Sequence, residues 1–246
     1  MDIKKIGLFT SGIKRVDYPE IGSITYKRNS RARRLSISVK GSTGVKVTIP
    51  GTLSFRSAEE FVLTKSKWIT EKLLYFKNNI IKLEQSGQFQ TRKHTLHYIP
   101  IEGDKIIVKV KSPSINVNFP KNLDIQNEQI QLAARKGIEL AYRIEAHEYL
   151  PQRVKELADL NGFKYNRIGI KKATSRWGSC SVRNNLNFSI FLMKLPDNLI
   201  DYIILHELCH TIHKNHGPKF WEELDRKTGG NAKRLSKEVK KYRTGI

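Results

Sequence analysis

Apolar and polar residues alternate strictly over two early stretches of the chain. Leu35, Ile37 and Val39 alternate with Ser36, Ser38 and Lys40, and Val45, Val47 and Ile49 alternate with Lys46 and Thr48. A period of two puts one set of side chains on one face, so each stretch predicts a half-buried strand. Gly41-Ser42-Thr43-Gly44 between them reads as a hairpin loop. The period then changes. Ser57 as N-cap and Glu60 as the far half of a capping box, followed by Phe61, Trp68, Leu73 and Phe76, predict one long helix. Residues 81–92 lose periodicity and read as a connection. Strands are predicted again from His94 to Pro100, from Lys105 to Val110 and from Ser114 to Phe119. His94 and His97 fall on opposite faces of the first of these and read as surface residues.

The second half is mainly helical. A long helix is predicted from about Asn127 to Asn161, with Leu132, Ile138, Leu140, Ile144 and Leu150 among its apolar positions, kinked or divided at Pro151 and closed by Asn161-Gly162. His147-Glu148 within it has no second histidine at a useful spacing and reads as surface. A strand follows from Lys164 to Lys171, then a hairpin of Thr174 to Ser181 and Asn185 to Ile190 turned at Arg183-Asn184. A helix starts after Pro196-Asp197, a shorter one near Pro218, and a basic one runs from Ala232 to Tyr242. The fold class is α+β. An antiparallel β-rich part with one long helix is expected at 1–120, then a second part at 121–246, or one continuous domain. No sequence repeat or low-complexity segment is visible.

Chemistry concentrates in His206-Glu207-Leu208-Cys209-His210, which lies within the helical apolar run Leu199, Ile200, Ile203, Ile204, Leu208. Residues four apart share a helix face, so His206 and His210 can hold one metal ion. Glu207 can place a carboxylate near water bound there. Neutral imidazole suits zinc, and three protein ligands leave a fourth position for water, which is the logic of a metalloprotease. His216 is favoured as third ligand, because a chain turning at Asn215 before Gly217-Pro218 brings it back beneath the first two. His213, one turn after His210, competes, and Glu222 and Glu223 are weaker alternatives that otherwise read as a solvated helix face. Cys209 and Cys180 are too few for a disulfide framework and form no C-x-x-C pair. Cys209 is expected to pack on the helix face away from the metal.

Composition adds a polyanion to the picture. Forty-five Lys+Arg against 23 Asp+Glu give a net charge of +22, a field that favours DNA or RNA. The densest cluster holds Lys27, Arg28, Arg31, Arg33 and Arg34. It serves either to grip phosphates or to guard an edge strand by charge. The N-terminus lacks a secretory apolar core, no run suffices to span a membrane, and with two cysteines a cytoplasmic location is expected. Oligomeric state is not legible.

Several blocks together resemble the YgjP-like metallopeptidase domain family. They are Tyr149-Leu150-Pro151-Gln152-Arg153-Val154, Ser175-Arg176-Trp177-Gly178-Ser179-Cys180-Ser181, and the His206–His210 motif with Asn215-His216-Gly217 and Phe220-Trp221. The stretch from Arg28 through the strands to Pro50 and Lys67-Trp68-Ile69 fits as well, so the resemblance covers roughly residues 25–240. It implies a zincin-like, zinc-dependent peptidase related to SprT-like and WLM proteases, with one Zn2+ per chain. By position, His206, His210 and His216 would be the ligands and Glu207 the general base, with protein or peptide as substrate. Relatives acting on DNA-bound proteins make a nucleic-acid-associated target attractive beside the charge. Arg176, Trp177, Gly178 and Ser179 suit a substrate-binding edge strand, with Gly178 giving close backbone approach. The alternative is packing, with Trp177 in the core and Arg176 in an ion pair. For the whole chain, the competing function is a nucleic-acid-binding protein without catalysis, its zinc structural.

Overall fold

The computed structural model of the chain describes residues 9, 10, 12–40, 44–78, 83 and 86–245. They fall into two compact units, Met1–Ile81 and Lys82–Ile246. The division lies at 81/82 where the sequence suggested 120/121. Strands 95–120 share one core with the long helix, which draws them into the second unit.

The first unit is a five-stranded sheet with two helices. Its strands are β1 (Phe9–Thr10), β2 (Ile13–Tyr18), β3 (Gly22–Asn29), β4 (Ser36–Lys40) and β5 (Gly44–Pro50), in the order β1-β2-β3-β5-β4. Alternation works as expected, burying Val45, Val47 and Ile49 against Ile24, Tyr26, Ala58, Val62 and Ile69. β4 and β5 pair antiparallel from Lys40↔Gly44, and residues 41–43 of the expected loop lie outside the described residues. The sheet is mixed, however, since β3 and β5 run parallel. β5 inserts between β3 and β4, a choice of partner that a period of two does not encode. The long helix is two, α1 (Phe55–Thr64) and α2 (Ser66–Asn78), parted at Lys65. Ser54 rather than Ser57 caps α1, its side chain accepting the Ser57 amide at 3.0 Å, so the helix begins a turn early. Glu60 pairs with Arg56 instead of closing a capping box. Ile69 fills the core, and Trp68 remains 40% exposed.

The second unit starts with β6 (Thr95–Ile101), β7 (Ile107–Lys111) and β8 (Ser114–Pro120), in the order β6-β8-β7. One 34-residue helix, α3 (Glu128–Asn161), packs on this sheet, capped by the Asn127 side chain and ended by Gly162 in the left-handed region. At Gly137 an added Cβ would lie 2.7 Å from Ile115 and 2.9 Å from Val108, so glycine lets helix and sheet close together. Pro151 does not divide α3; Ala146, Leu150, Val154 and Leu157 keep one buried stripe across it. Next come β9 (Arg167–Lys171), β10 (Gly178–Cys180) and β11 (Asn185–Ser189), a 3₁₀ turn (Ile190–Lys194), α4 (Asp197–Cys209), α5 (Pro218–Lys227) and α6 (Ala232–Val239).

The third sheet has the order β10-β11-β9, with β9 and β11 parallel and β10 antiparallel to β11. The sheets share one plan: of β3-β4-β5, β6-β7-β8 and β9-β10-β11, the third strand lies between the other two, parallel to the first. The chain thus repeats a topology without repeating a sequence. No helix among the described residues is long and apolar enough to cross a membrane.

Candidate metal centre

α4 is buried almost all round, through Leu199, Ile200, Ile203, Ile204 and Leu208. Arg153 of α3 clamps it with two bonds to the Asp201 carboxylate, 2.7 and 2.6 Å long. Such a planar fork fixes the helix in rotation as well as position. The helix ends at Cys209, and the chain tightens as the Thr211 amide bonds to the Leu208 carbonyl at 2.9 Å and His213 to Cys209 at 2.8 Å. It then turns through Lys214-Asn215 into α5, where Gly217 takes the cap position and Pro218 opens the helix.

That turn carries His216 back to α4. Its Nε2 lies 3.0 Å from His206 Nε2 and 3.2 Å from His210 Nε2. Two nitrogens bound at about 2.0–2.1 Å to one tetrahedral zinc stand roughly 3.3–3.4 Å apart, so the donor set fits that ion. His210 Nδ1 sits 2.9 Å from the His213 carbonyl, which holds the proton on Nδ1 and leaves the Nε2 lone pair facing inward. His206 is kept neutral, burial and its two neighbours lowering its pKa to about 3. Its Nδ1 is buried without a partner among the described residues.

Phe220 holds the three rings together. Fully buried, it stacks on His210 at 4.5 Å and meets His206 and His216 edge-on at 5.0 and 4.7 Å. Its part in the centre was not legible in the sequence, where Phe220-Trp221 entered only as part of the block that carries the family resemblance. Of the alternative ligands, His213 contributes its carbonyl, Glu223 pairs with Arg226 and Lys227, and Glu222 is exposed. Cys209 is fully buried, its thiol pushed up to about 12 by burial. Neither cysteine joins the histidine cluster, and both are free.

Glu207 is 6% exposed and has no hydrogen bond among the described residues. Burial raises its carboxyl to about 8, and the charge of Arg176 opposes that rise. Its side chain lies against β10, so closely that a Cβ at Gly178 would be 2.7 Å from its Cγ and Oε1. β10 is an edge strand, paired to β11 on one side through Gly178↔Phe188 and Cys180↔Leu186. Trp177 is half-buried against the core, whereas Arg176 is exposed and forms no ion pair among the described residues.

The other expected residues fall elsewhere. Lys27, Arg28, Arg31, Arg33 and Arg34 are all exposed in the first unit. They do not guard an edge: Lys27 and Arg28 end the interior strand β3, and the rest lie in the connection to β4. Arg28 also donates to the Gly51 carbonyl at 2.9 Å and covers the Phe55 ring. His147 is on the surface as expected. His94 is not. It is 2% exposed and joined to Glu145 of α3 at 2.8 Å, because the turn before β6 is tied to the helix, the Lys93 amide donating to that same carboxylate.

Comparison with known proteins gives a match over most of the chain. The family model described as YgjP-like, metallopeptidase domain, matches residues 33–242. Two solved structures are similar over a smaller part. The metallopeptidase zymogen of Pyrococcus abyssi abylysin is 19% identical, covering 39% of this chain and 98% of that one, with a TM-score of 0.34. The metallopeptidase zymogen of Methanocaldococcus jannaschii jannalysin is 27% identical, covering 37% and 93%, with a TM-score of 0.34. No curated protein matches the sequence.

Proposed function

Because the chain belongs to the YgjP-like metallopeptidase domain family, we propose that it hydrolyses peptide bonds with one zinc ion held by His206, His210 and His216. One observation carries this reading. Three imidazole Nε2 atoms converge, and the residue after His206 on the same helix is Glu207, a buried carboxylate that has no hydrogen-bond partner among the described residues. Zinc held there supplies a Lewis acid that acidifies water and polarises the scissile carbonyl.

The chain's own residues do the rest. Glu207 is the general base: an Oε takes the proton of the attacking water and delivers it to the leaving amine. The free edge of β10 pairs with the backbone of an extended peptide, so that Arg176, Trp177, Gly178 and Ser179 form the substrate wall. Gly178, lacking a Cβ, leaves Glu207 room against that wall. The exposed cations Lys27, Arg28, Arg31, Arg33 and Arg34 grip phosphates and direct the peptidase to proteins associated with nucleic acid. Two free cysteines suit a reducing cytoplasm.

Elemental analysis of purified wild type and His216→Ala tests the centre. One zinc per wild-type chain and its loss in the variant support the three-histidine set, and zinc retained by the variant refutes it. Unfolding on zinc removal, with Glu207→Gln changing no activity, would instead favour a nucleic-acid-binding protein with a structural zinc. For the phosphate contact, affinity for mixed-sequence DNA should fall steeply with salt; a flat response removes it.

A further inference from the structure

The stretches of chain that carry the edge strand beside Glu207 and two of the three histidines are basic and free of acids. From Asn161 to Pro196 the chain carries Lys164, Arg167, Lys171, Lys172, Arg176, Arg183 and Lys194 and not one aspartate or glutamate. This span contains the whole sheet of β9, β10 and β11 with its loops. From Cys209 to Trp221, the stretch bearing His210 and His216, Lys214 and Lys219 are again unaccompanied by any acid.

Elsewhere in the second unit, acids are interspersed with the cations and several surface cations are matched, although others, such as Lys109, Lys136 and Arg143, form no ion pair among the described residues. Lys93 pairs with Glu148, Lys121 with Glu102, Lys155 with Asp159 and Arg234 with Glu238. Of the cations in these two stretches, Lys172 alone has such a partner among the described residues, Glu139. Arg176, Arg183, Lys214 and Lys219 are exposed and form no ion pair among the described residues. Their placement is not random about β10. Arg176 precedes the strand. Arg183 lies in the turn beyond it, joined by Lys214, whose Nζ donates to the Ser181 carbonyl at 3.4 Å and to Asn184 Oδ1. The strand between them is three residues, about 10 Å long. A peptide on its free edge would therefore meet fixed positive charge at both ends.

We propose that the site selects acidic peptide segments, with carboxylates flanking the residues paired to β10, one met by Arg176 and the other by Arg183 and Lys214. The inference rests on the peptidase reading of the same site and names its substrate class. Exposed charges act here chiefly through steering and register, so the preference should be sensitive to salt.

The test uses the full-length, zinc-loaded protein and fluorescein-labelled peptides with one apolar centre and Glu, Ala or Lys flanks. With Glu207→Gln, anisotropy at low salt should show the Glu-flanked peptide binding about tenfold more tightly than the Ala-flanked one, falling to about twofold in high salt. Arg176→Glu and, separately, Arg183→Glu should each move the preference toward the Lys-flanked peptide. Arg183 sits in an exposed turn, so its variant decides the matter if Arg176→Glu does not fold. Equal binding of the three peptides, or a preference unmoved by the charge reversals, overturns the inference. So does Arg176- and Arg183-dependent binding of a single-stranded oligonucleotide without binding of the Glu-flanked peptide, which assigns the surface to nucleic acid. Cleavage by wild type is scored separately. Uniform cleavage sinks only the charge preference, whereas selective binding without cleavage sinks the peptidase reading and leaves the preference standing.

Discussion

The second unit buries two histidine–glutamate neighbourhoods and finishes them differently. At one, Glu145 Oε1 meets His94 Nδ1 at 2.8 Å and the Lys93 amide at 3.0 Å, and takes the Thr91 hydroxyl as well. Both side chains are 1% exposed, so the remaining His94 Nε2 and Glu145 Oε2 atoms face no solvent and no substrate. At the other, Glu207 bonds to nothing among the described residues, and three imidazoles turn their Nε2 atoms on one another. Buried polar groups are destabilising unless paired. The first neighbourhood meets most of that cost internally, leaving His94 Nε2 and Glu145 Oε2 unpaired among the described residues, and becomes a joint between the turn before β6 and α3. The second leaves it unresolved in a place open enough for a ligand, since His216 is exposed. Residue types do not separate a structural histidine from a candidate ligand; whether solvent can reach their free atoms does.

The sharpest way to break this contrast is to neutralise each glutamate. Glu207→Gln should lower peptidase activity by about 10²–10⁴-fold, the span of general acid–base catalysis, with zinc content and melting temperature held. A variant with full activity would remove Glu207 from the chemistry. Glu145→Ala should do the reverse. It strands buried His94 and the amide of Lys93 and should cost about 3 kcal/mol of stability. Activity per folded molecule should be preserved, as urea denaturation and assays well below the transition would reveal. Loss of activity without loss of stability would make the two neighbourhoods one functional network.

Gly178→Ala probes the open site from the strand side. The new Cβ would lie 2.7 Å from Glu207, so the carboxylate has to move. Activity should fall about 10²-fold, as expected when a catalytic group is misplaced by about an ångström. Zinc content should stay near one per chain. An alanine variant with wild-type kinetics would mean that Glu207 has no fixed position to lose.

How much of this was legible in the chain depends on the range over which each feature is encoded. The spacing of His206 and His210, the Pro196-Asp197 start of α4 and the Gly217-Pro218 start of α5 are local, and sequence reasoning located them. Alternation at Leu35 to Ile49 revealed the buried face of two strands, because a period of two encodes a face. It does not encode a partner, so the parallel pairing of β3 with β5 stayed hidden and the basic cluster could be taken for an edge. His94 was misplaced on the surface for the same reason: its partner Glu145 lies 51 residues away on a helix. The break at Lys65 was missed because the apolar spacing that suggested one helix is equally served by two. In the candidate centre, ligand types were visible, while the contacts that fix them, such as the His213 carbonyl and the Phe220 ring, depend on how the chain turns after α4.

Phe220 offers the gentlest test of the contrast, because it distinguishes a site held by packing from one held by hydrogen bonds. Phe220→Leu keeps the position apolar and close in volume, so the core around α5 should survive with a loss of about 1 kcal/mol or less. What disappears is the ring stacked on His210 at 4.5 Å and set edge-on to the other two imidazoles. Aromatic pairs of this kind contribute about 0.5–1.5 kcal/mol beyond the area that they bury, which converts to roughly two- to tenfold in an equilibrium constant. That factor should appear in zinc release, measured with a chromogenic chelator, rather than in the melting temperature of the metal-free protein. The Thr91, His94 and Glu145 joint should not respond, since the ring contacts of Phe220 are with the three histidines and Trp221. Unchanged zinc release would show that backbone and carbonyl contacts alone orient the histidines; equal losses in zinc retention and metal-free stability would reduce Phe220 to a core residue that happens to lie beneath them.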